Sequence, residues 1–188
     1  MASYSMNKYY ARLKTVDPAK YKNFELLGTQ YICAGTLSKY SHVDIDSSII
    51  IPKEFCNRFF LTHLAMRGQI VPHRDQGINC KINIYLSDNQ ATTRFYSGDY
   101  KEIAKDCNGC NFEKFTAGDC ACSMKPDNLV LQDQFVAKPH DAYLINTTEI
   151  HSVEELSADN PRFVLNLTTD MPYTEVYDML AEFGLLDV

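Results

Sequence analysis

Along most of the chain, apolar and polar residues alternate in short bursts and do not recur at helical spacing. Residues 59–66, 69–72, 81–86, 92–96, 129–136, 142–147 and 162–169 are rich in β-branched and aromatic side chains. Turn formers separate them, at Gly68, Asp75 to Gly77, Ser87 to Asn89, Gly98-Asp99 and Asp159 to Pro161. Many short strands of this kind predict a mainly β protein, an antiparallel sandwich or barrel. A helical period is strong in one place. Val176, Met179, Leu180 and Phe183 follow Pro172 at helical spacing, which predicts an amphipathic C-terminal helix lying on the sheet.

The rest of the chain frames this core. Asp17-Pro18 reads as a helix start, with Asp as cap and Pro at the first helical position, so a short N-terminal helix followed by an edge strand around 29–37 is expected. Residues 38–57 show little periodicity apart from a short apolar piece at 48–51. The expected organisation is a single domain over 1–188: a flanking segment at 1–57, a β core at 58–170 and the helix within 171–188. Residues 100–128 break the pattern and read as a long insert between strands. Loops of that length in compact domains are usually functional or tied down.

Composition narrows the function classes. The chain has 188 residues, enough for a real core, and 24 acidic against 18 basic residues give a net charge of -6. Phosphate binding normally draws on a basic excess, so nucleic acid is disfavoured as a partner. No apolar run is long enough to span a membrane, and the first residues lack the apolar region of a signal peptide, so an intracellular protein is expected. Seven cysteines in such a chain point to free thiols or a metal site before a disulfide framework.

The chemistry concentrates in the run from Gly68 to Asp75. His73 and Asp75 are two apart, so at a strand end their side chains leave one face. An imidazole and a carboxylate aimed at one point make two-thirds of a facial metal site, and His151, just beyond the apolar run 142–147, is the candidate third ligand. Two histidines and one carboxylate with open positions suit non-haem Fe(II). Arg162 opens the run 162–169, on the face shared by Val164, Asn166 and Thr168. A guanidinium on the inner face of a β barrel is costly unless it meets an anion, and its fork matches a carboxylate.

His73-x-Asp75, a distal His151 and Arg162 about ten residues later resemble the Fe(II)/2-oxoglutarate-dependent dioxygenases. The runs His73-Arg-Asp-Gln-Gly, Ala91-Thr-Thr-Arg-Phe-Tyr96 and Ala142-Tyr-Leu-Ile-Asn-Thr with His151-Ser-Val are similar to the small prolyl-hydroxylase-like members, including bacteriophage-encoded ones. The resemblance covers roughly residues 58–170. It implies a double-stranded β-helix, or jelly roll, with flanking N-terminal and C-terminal helices. It implies that His73, Asp75 and His151 hold Fe(II), and that Arg162 binds the C5 carboxylate of 2-oxoglutarate, assisted by Tyr85 or Asn83. The implied reaction hydroxylates a C–H bond with succinate and CO₂ as co-products. The family-weighted substrate is a small molecule or peptide, an amino-acid side chain above all. Retention of Asp75 argues against halogenation, since halogenases of the family lack that ligand.

Other readings remain open on the sequence. A cupin-like metalloenzyme would use the same ligands without 2-oxoglutarate and without need of Arg162, and a non-catalytic β-sandwich module would use neither. Arg94 is a possible substrate contact. His63 reads as a structural histidine and His140 as an exposed one. Loops over the barrel mouth, expected within 38–57 and 100–128, would set specificity. In the insert, Cys107-x₂-Cys110 and Cys120-x-Cys122 pair at spacings that suit a structural zinc, free thiols or a disulfide.

Overall fold

The structure is a computed structural model that describes residues 6–21, 23–33, 38–75, 77–102 and 124–187. Among them the chain forms eleven strands: β1 (Tyr10–Leu13), β2 (Leu26–Cys33), β3 (Ser38–Val43), β4 (Phe60–Met66), β5 (Ile70–His73), β6 (Cys80–Tyr85), β7 (Thr92–Glu102), β8 (Met124–Val136), β9 (Ala142–Asn146), β10 (Ile150–Glu154) and β11 (Arg162–Thr169). One α-helix, α1 (Tyr173–Glu182), follows. The strands build two antiparallel sheets, a larger one ordered β1-β9-β6-β11-β4-β3-β2 and a smaller one ordered β5-β10-β7-β8. The mainly β expectation is borne out. Among the described residues no helix is long and apolar enough to cross a membrane.

Alternation along the central strands sends side chains into two separate cores. From β6 and β11, Ile82, Ile84, Leu165 and Leu167 enter a cluster capped by α1 through Tyr173, Val176, Met179 and Leu180. The opposite face of the same strands carries Tyr85 and Val164, which join Phe95 of β7, Phe135 of β8 and Val153 of β10 in a second cluster between the sheets. Because antiparallel partners share a face, the register pairs Lys81 with Thr168, Asn83 with Asn166 and Tyr85 with Val164 on this inner side. A polar stripe therefore runs beside the aromatic core.

Three expectations need correction. The N-terminal helix is a single 3₁₀ turn, Pro18–Lys20, in which the Asp17 side chain accepts from the Ala19 amide. The cap is real, but no buried residue lies on the turn, and a helix without an apolar stripe to bury does not propagate. The N-terminal segment is also not merely flanking, since β1, β2 and β3 are integral strands of the larger sheet. Residues 38–57 are not an open loop: β3 pairs with both β2 and β4, and the 3₁₀ turns Ser47–Ile49 and Lys53–Arg58 follow it. Within that stretch Ile50 and Ile51 are buried, as their apolar run predicts.

The insert also begins as sheet. β7 and β8 stay paired out to Glu102 and Met124, well beyond the expected strand ends. Cys107, Cys110, Cys120 and Cys122 lie outside the described residues. The C-terminal helix forms where the apolar spacing places it, except that Tyr173 replaces Phe183 on the buried stripe. Phe183 is exposed because the helix ends there. Gly184 takes a left-handed φ of 66°, and Leu185 N–H reaches the Leu180 carbonyl at 2.8 Å, a reversal that returns Leu186 to bridge Leu13.

Packing on this scale sets a stability prediction. Leu165→Ala empties a fully buried position between β6, β4 and α1 and should cost about 2–5 kcal/mol, whereas Val130→Ser on exposed β8 should stay within about 0.5 kcal/mol. Urea denaturation midpoints of the two variants check this directly.

Candidate metal centre

β5 is the edge of the smaller sheet, which is why Pro72, lacking an N–H, is tolerated one residue before His73. The chain then leaves the strand and is latched to the turn between β9 and β10. The Asp75 amide donates to the Thr147 carbonyl at 3.1 Å, the Thr147 amide donates to the Asn79 carbonyl at 3.1 Å, and the Thr147 hydroxyl donates to the Ile78 carbonyl at 2.7 Å. His151 lies on β10, the strand that leaves this same turn. It is the direct cross-strand partner of His73, and the register is irregular between His151 and Val153. Such irregularities re-aim side chains beside functional sites.

The result is a convergence of donors. One ligand atom from each of His73, Asp75 and His151 lies within 4.8 Å of the others. The imidazole centroids are 4.3 Å apart, and both histidines are buried. Each ring is oriented by the carbonyl two residues before it: His73 Nδ1 donates to Val71 at 2.9 Å and His151 Nδ1 donates to Glu149 at 3.0 Å. A carbonyl only accepts, so in the neutral imidazole the proton sits on Nδ1 and Nε2 presents a bare lone pair. His151 Nε2 is buried with no hydrogen-bond partner among the described residues. His73 Nε2 faces Asp75 Oδ1 at 3.2 Å, a contact between two acceptors unless a positive species sits between them. This is the arrangement in which metal-binding histidines are held.

Electrostatics point the same way. Burial, reinforced by His73 and Lys81, lowers the His151 pKa from 6.5 to about 3, so its imidazole is neutral at pH 7. Burial would raise the Asp75 carboxyl, but the Lys81 ammonium outweighs it and holds Asp75 well below the ordinary carboxylate range. Lys81 Nζ lies 2.8 Å from Asp75 Oδ2. Lys81 went unremarked in the sequence, although it shares the inner face of its strand with Asn83 and Tyr85. A lysine in an otherwise buried strand was the available signal.

Arg162 is 1% exposed. It crosses from β11 to the segment leading into β7, donating to Asn89 Oδ1 at 3.3 Å, Thr93 Oγ1 at 3.0 Å and the Ala91 carbonyl. Its guanidinium lies over the Tyr85 ring, 5.0 Å from the centroid. Among the described residues no carboxylate pairs with it, and burial lowers its pKa. Thr93 and Phe95 share one face of β7, roughly 7 Å apart along the strand, and Phe95 packs 6.3 Å from the His151 ring. Arg162, Tyr85 and the histidine cluster therefore line one interior. Asn83 is there too, but its Oδ1 accepts from Asn166 Nδ2 at 2.6 Å.

Arg94 lies elsewhere. It alternates with Thr93 and Phe95 and so leaves the other face of β7, where it pairs with Glu154 and, at 2.7 Å, with Glu155. The structure does not bring it to the histidines. His63 is buried between Phe24 and Phe163, at 5.5 and 5.7 Å, as a structural histidine. His140 is half-buried, not exposed, because its Nδ1 meets the Tyr21 hydroxyl at 2.9 Å. Beside the Asp75 loop lies a cavity of about 320 Å³ lined by Phe60, Gly77, Ile78, Thr168 and Asp170 among others.

No family model and no curated protein matches the chain. Among solved structures, that of a BsmA homologue from Methylobium petroleophilum PM1 is similar at 16% identity and a TM-score of 0.27. The match covers 58% of this chain and 41% of that one, and so slight a likeness bears on neither fold nor function.

The titrations make the metal-free protein acid-sensitive. Between the ordinary histidine value of 6.5 and about 3, the unfolded chain binds a proton at position 151 that the folded chain refuses, so stability is lost as pH falls through that window. The slope approaches about 1.4 kcal/mol per pH unit. Asp75, depressed in the fold, contributes stability above its unfolded value of 3.8, lost as pH falls through its folded value. In metal-free samples, denaturation midpoints at pH 7, 5.5 and 4 should decline steeply for the wild type and less steeply for His151→Asn.

Proposed function

We propose that this chain is an Fe(II)- and 2-oxoglutarate-dependent oxygenase that hydroxylates a C–H bond of an amino-acid or peptidyl substrate. On this reading its two antiparallel sheets are those of a double-stranded β-helix. The observation that carries the proposal is the pairing of two unmet demands in one interior. His73, Asp75 and His151 converge their donor atoms, the buried Nε2 of His151 having no hydrogen-bond partner among the described residues, and Arg162 presents a buried positive charge that no carboxylate of the described residues pairs with. A divalent first-row cation answers the first demand, and a dicarboxylate that reaches from the cation to Arg162 answers the second. The cupin-like alternative answers only the first.

The donor set fits Fe(II): two imidazole nitrogens and one carboxylate, the histidines buried and the carboxylate largely so. When bound, Fe(II) and 2-oxoglutarate together let O₂ place one oxygen atom in a C–H bond and the other in succinate, with release of CO₂. The protein's own part is positional. The Val71 and Glu149 carbonyls lock both imidazoles with Nε2 inward. The Thr147 latch holds Asp75 in register with His151. Arg162, its guanidinium lying over the Tyr85 ring, would hold the far carboxylate of the dicarboxylate, and Phe95, Phe135 and Tyr143 line the apolar interior beside it.

Anaerobic addition of Fe(II) and 2-oxoglutarate should produce a visible charge-transfer band. Arg162→Ala should weaken 2-oxoglutarate binding about ten- to a hundredfold while leaving metal binding in place, because a buried charge-assisted contact is worth about 1.5–3 kcal/mol. His151→Ala should lose the metal, and Arg94→Ala should alter neither. Absence of metal uptake by the wild type would overturn the proposal. Metal uptake by the wild type with no band on addition of 2-oxoglutarate would favour the cupin-like reading, and a band that survives Arg162→Ala at full strength would remove Arg162 from the co-substrate site.

A further inference from the structure

We infer that Lys81 is a positioning residue that restricts Asp75 to donating one carboxylate oxygen to the metal, and so keeps a coordination position open. The inference rests on the oxygenase reading and adds to it a residue outside the ligand set.

The geometry divides the two oxygens of Asp75 between different tasks. Oδ1 faces His73 Nε2 at 3.2 Å, on the side where the imidazoles converge. Oδ2 lies 2.8 Å from Lys81 Nζ. Both ends of this pair are anchored. Lys81 sits on β6, inside the larger sheet, with Thr168 of β11 as its partner on one side and Ile145 of β9 on the other. Asp75 is tied by its own amide to Thr147. The two side chains are only 16% and 17% exposed, so water competes weakly and the carboxylate is not free to rotate. A surface pair would not hold an orientation in this way.

The consequence follows from counting positions around a six-coordinate ion. His73, His151 and one oxygen of Asp75 take three. A 2-oxo acid chelating through its carboxylate and keto oxygens takes two more, and O₂ needs the last. Were Asp75 to swing and donate both oxygens, it would compete for one of these. Lys81 holds the second oxygen away. Its ammonium also sets a positive charge beside the ion, which disfavours a bare cation and favours an anionic chelator.

Lys81→Met keeps the length of the side chain and removes the charge and the hydrogen bond. Calorimetric titration with Mn²⁺, then with 2-oxoglutarate on the Mn²⁺-loaded protein, reads the two effects separately. The variant should bind Mn²⁺ within about threefold of the wild type, or more tightly, and bind 2-oxoglutarate about tenfold or more weakly. Lys81→Arg should recover most of the 2-oxoglutarate affinity. A purely structural role would weaken both ligands together, and that result, or 2-oxoglutarate affinity unchanged in Lys81→Met, overturns the inference. Should Lys81→Met not fold by circular dichroism, the same two affinities in Lys81→Gln decide it. Failure of the wild type to bind Mn²⁺ or 2-oxoglutarate sinks the oxygenase reading itself. A wild type that binds both, with a variant identical to it, sinks only the role of Lys81.

Discussion

Three electron-pair donors face one another in a space from which water is largely withdrawn, and the surrounding structure is arranged to keep them so. Left to themselves, His73 Nε2, His151 Nε2 and the Asp75 carboxylate would turn toward donors or toward solvent. They are prevented because each imidazole spends its one proton on a backbone carbonyl and the carboxylate is gripped from behind by Lys81. Unsatisfied buried lone pairs are destabilising, so a fold that preserves such an arrangement carries a cost that binding a cation would relieve.

That arrangement depends on strand register more than on any single side chain. His73 lies on an edge strand interrupted by Pro72, a position weakly determined by its own ladder. Its alignment with His151 comes from the Thr147 latch, which bonds the loop after His73 to the turn before His151 through main-chain groups and one hydroxyl. A slip of one residue would send His151 to the outer face, where Ser152 and Glu154 belong with Arg94 and Tyr96. The aromatic packing of Tyr10, Phe95, Phe135 and Tyr143 makes such a slip costly, because it interlocks the smaller sheet with the larger.

Much of this was legible beforehand. The run 162–169 is a strand at the predicted bounds, and its alternation places Arg162 and Val164 inward and Leu165 and Leu167 toward the helix. Asn83 and Tyr85 share the inner face as their spacing requires. Of the N-terminal strands, β2 lies at the sheet edge, overlapping the expected edge strand, but β1 and β3 were not legible, since they carry mixed polar sequences whose extended form comes from pairing with β9 and β4. Arg94 and Arg162 look alike in sequence, both on β-rich runs. Only the facing sheet distinguishes them, surrounding one with Glu154 and Glu155 and the other with Tyr85 and the Ala91 carbonyl.

By itself, then, the sequence determined the β character of the chain, the two-sided patterning of its central strands, the C-terminal helix and the residues able to bind a metal, because these follow from side-chain period and chemical type. Tertiary structure alone decided that His73 and His151 are partners, that Lys81 rather than solvent faces Asp75, and that Arg162 is buried with no carboxylate partner among the described residues. Those are relations between segments far apart in the chain. They depend on which strand lies beside which, and no local pattern encodes that.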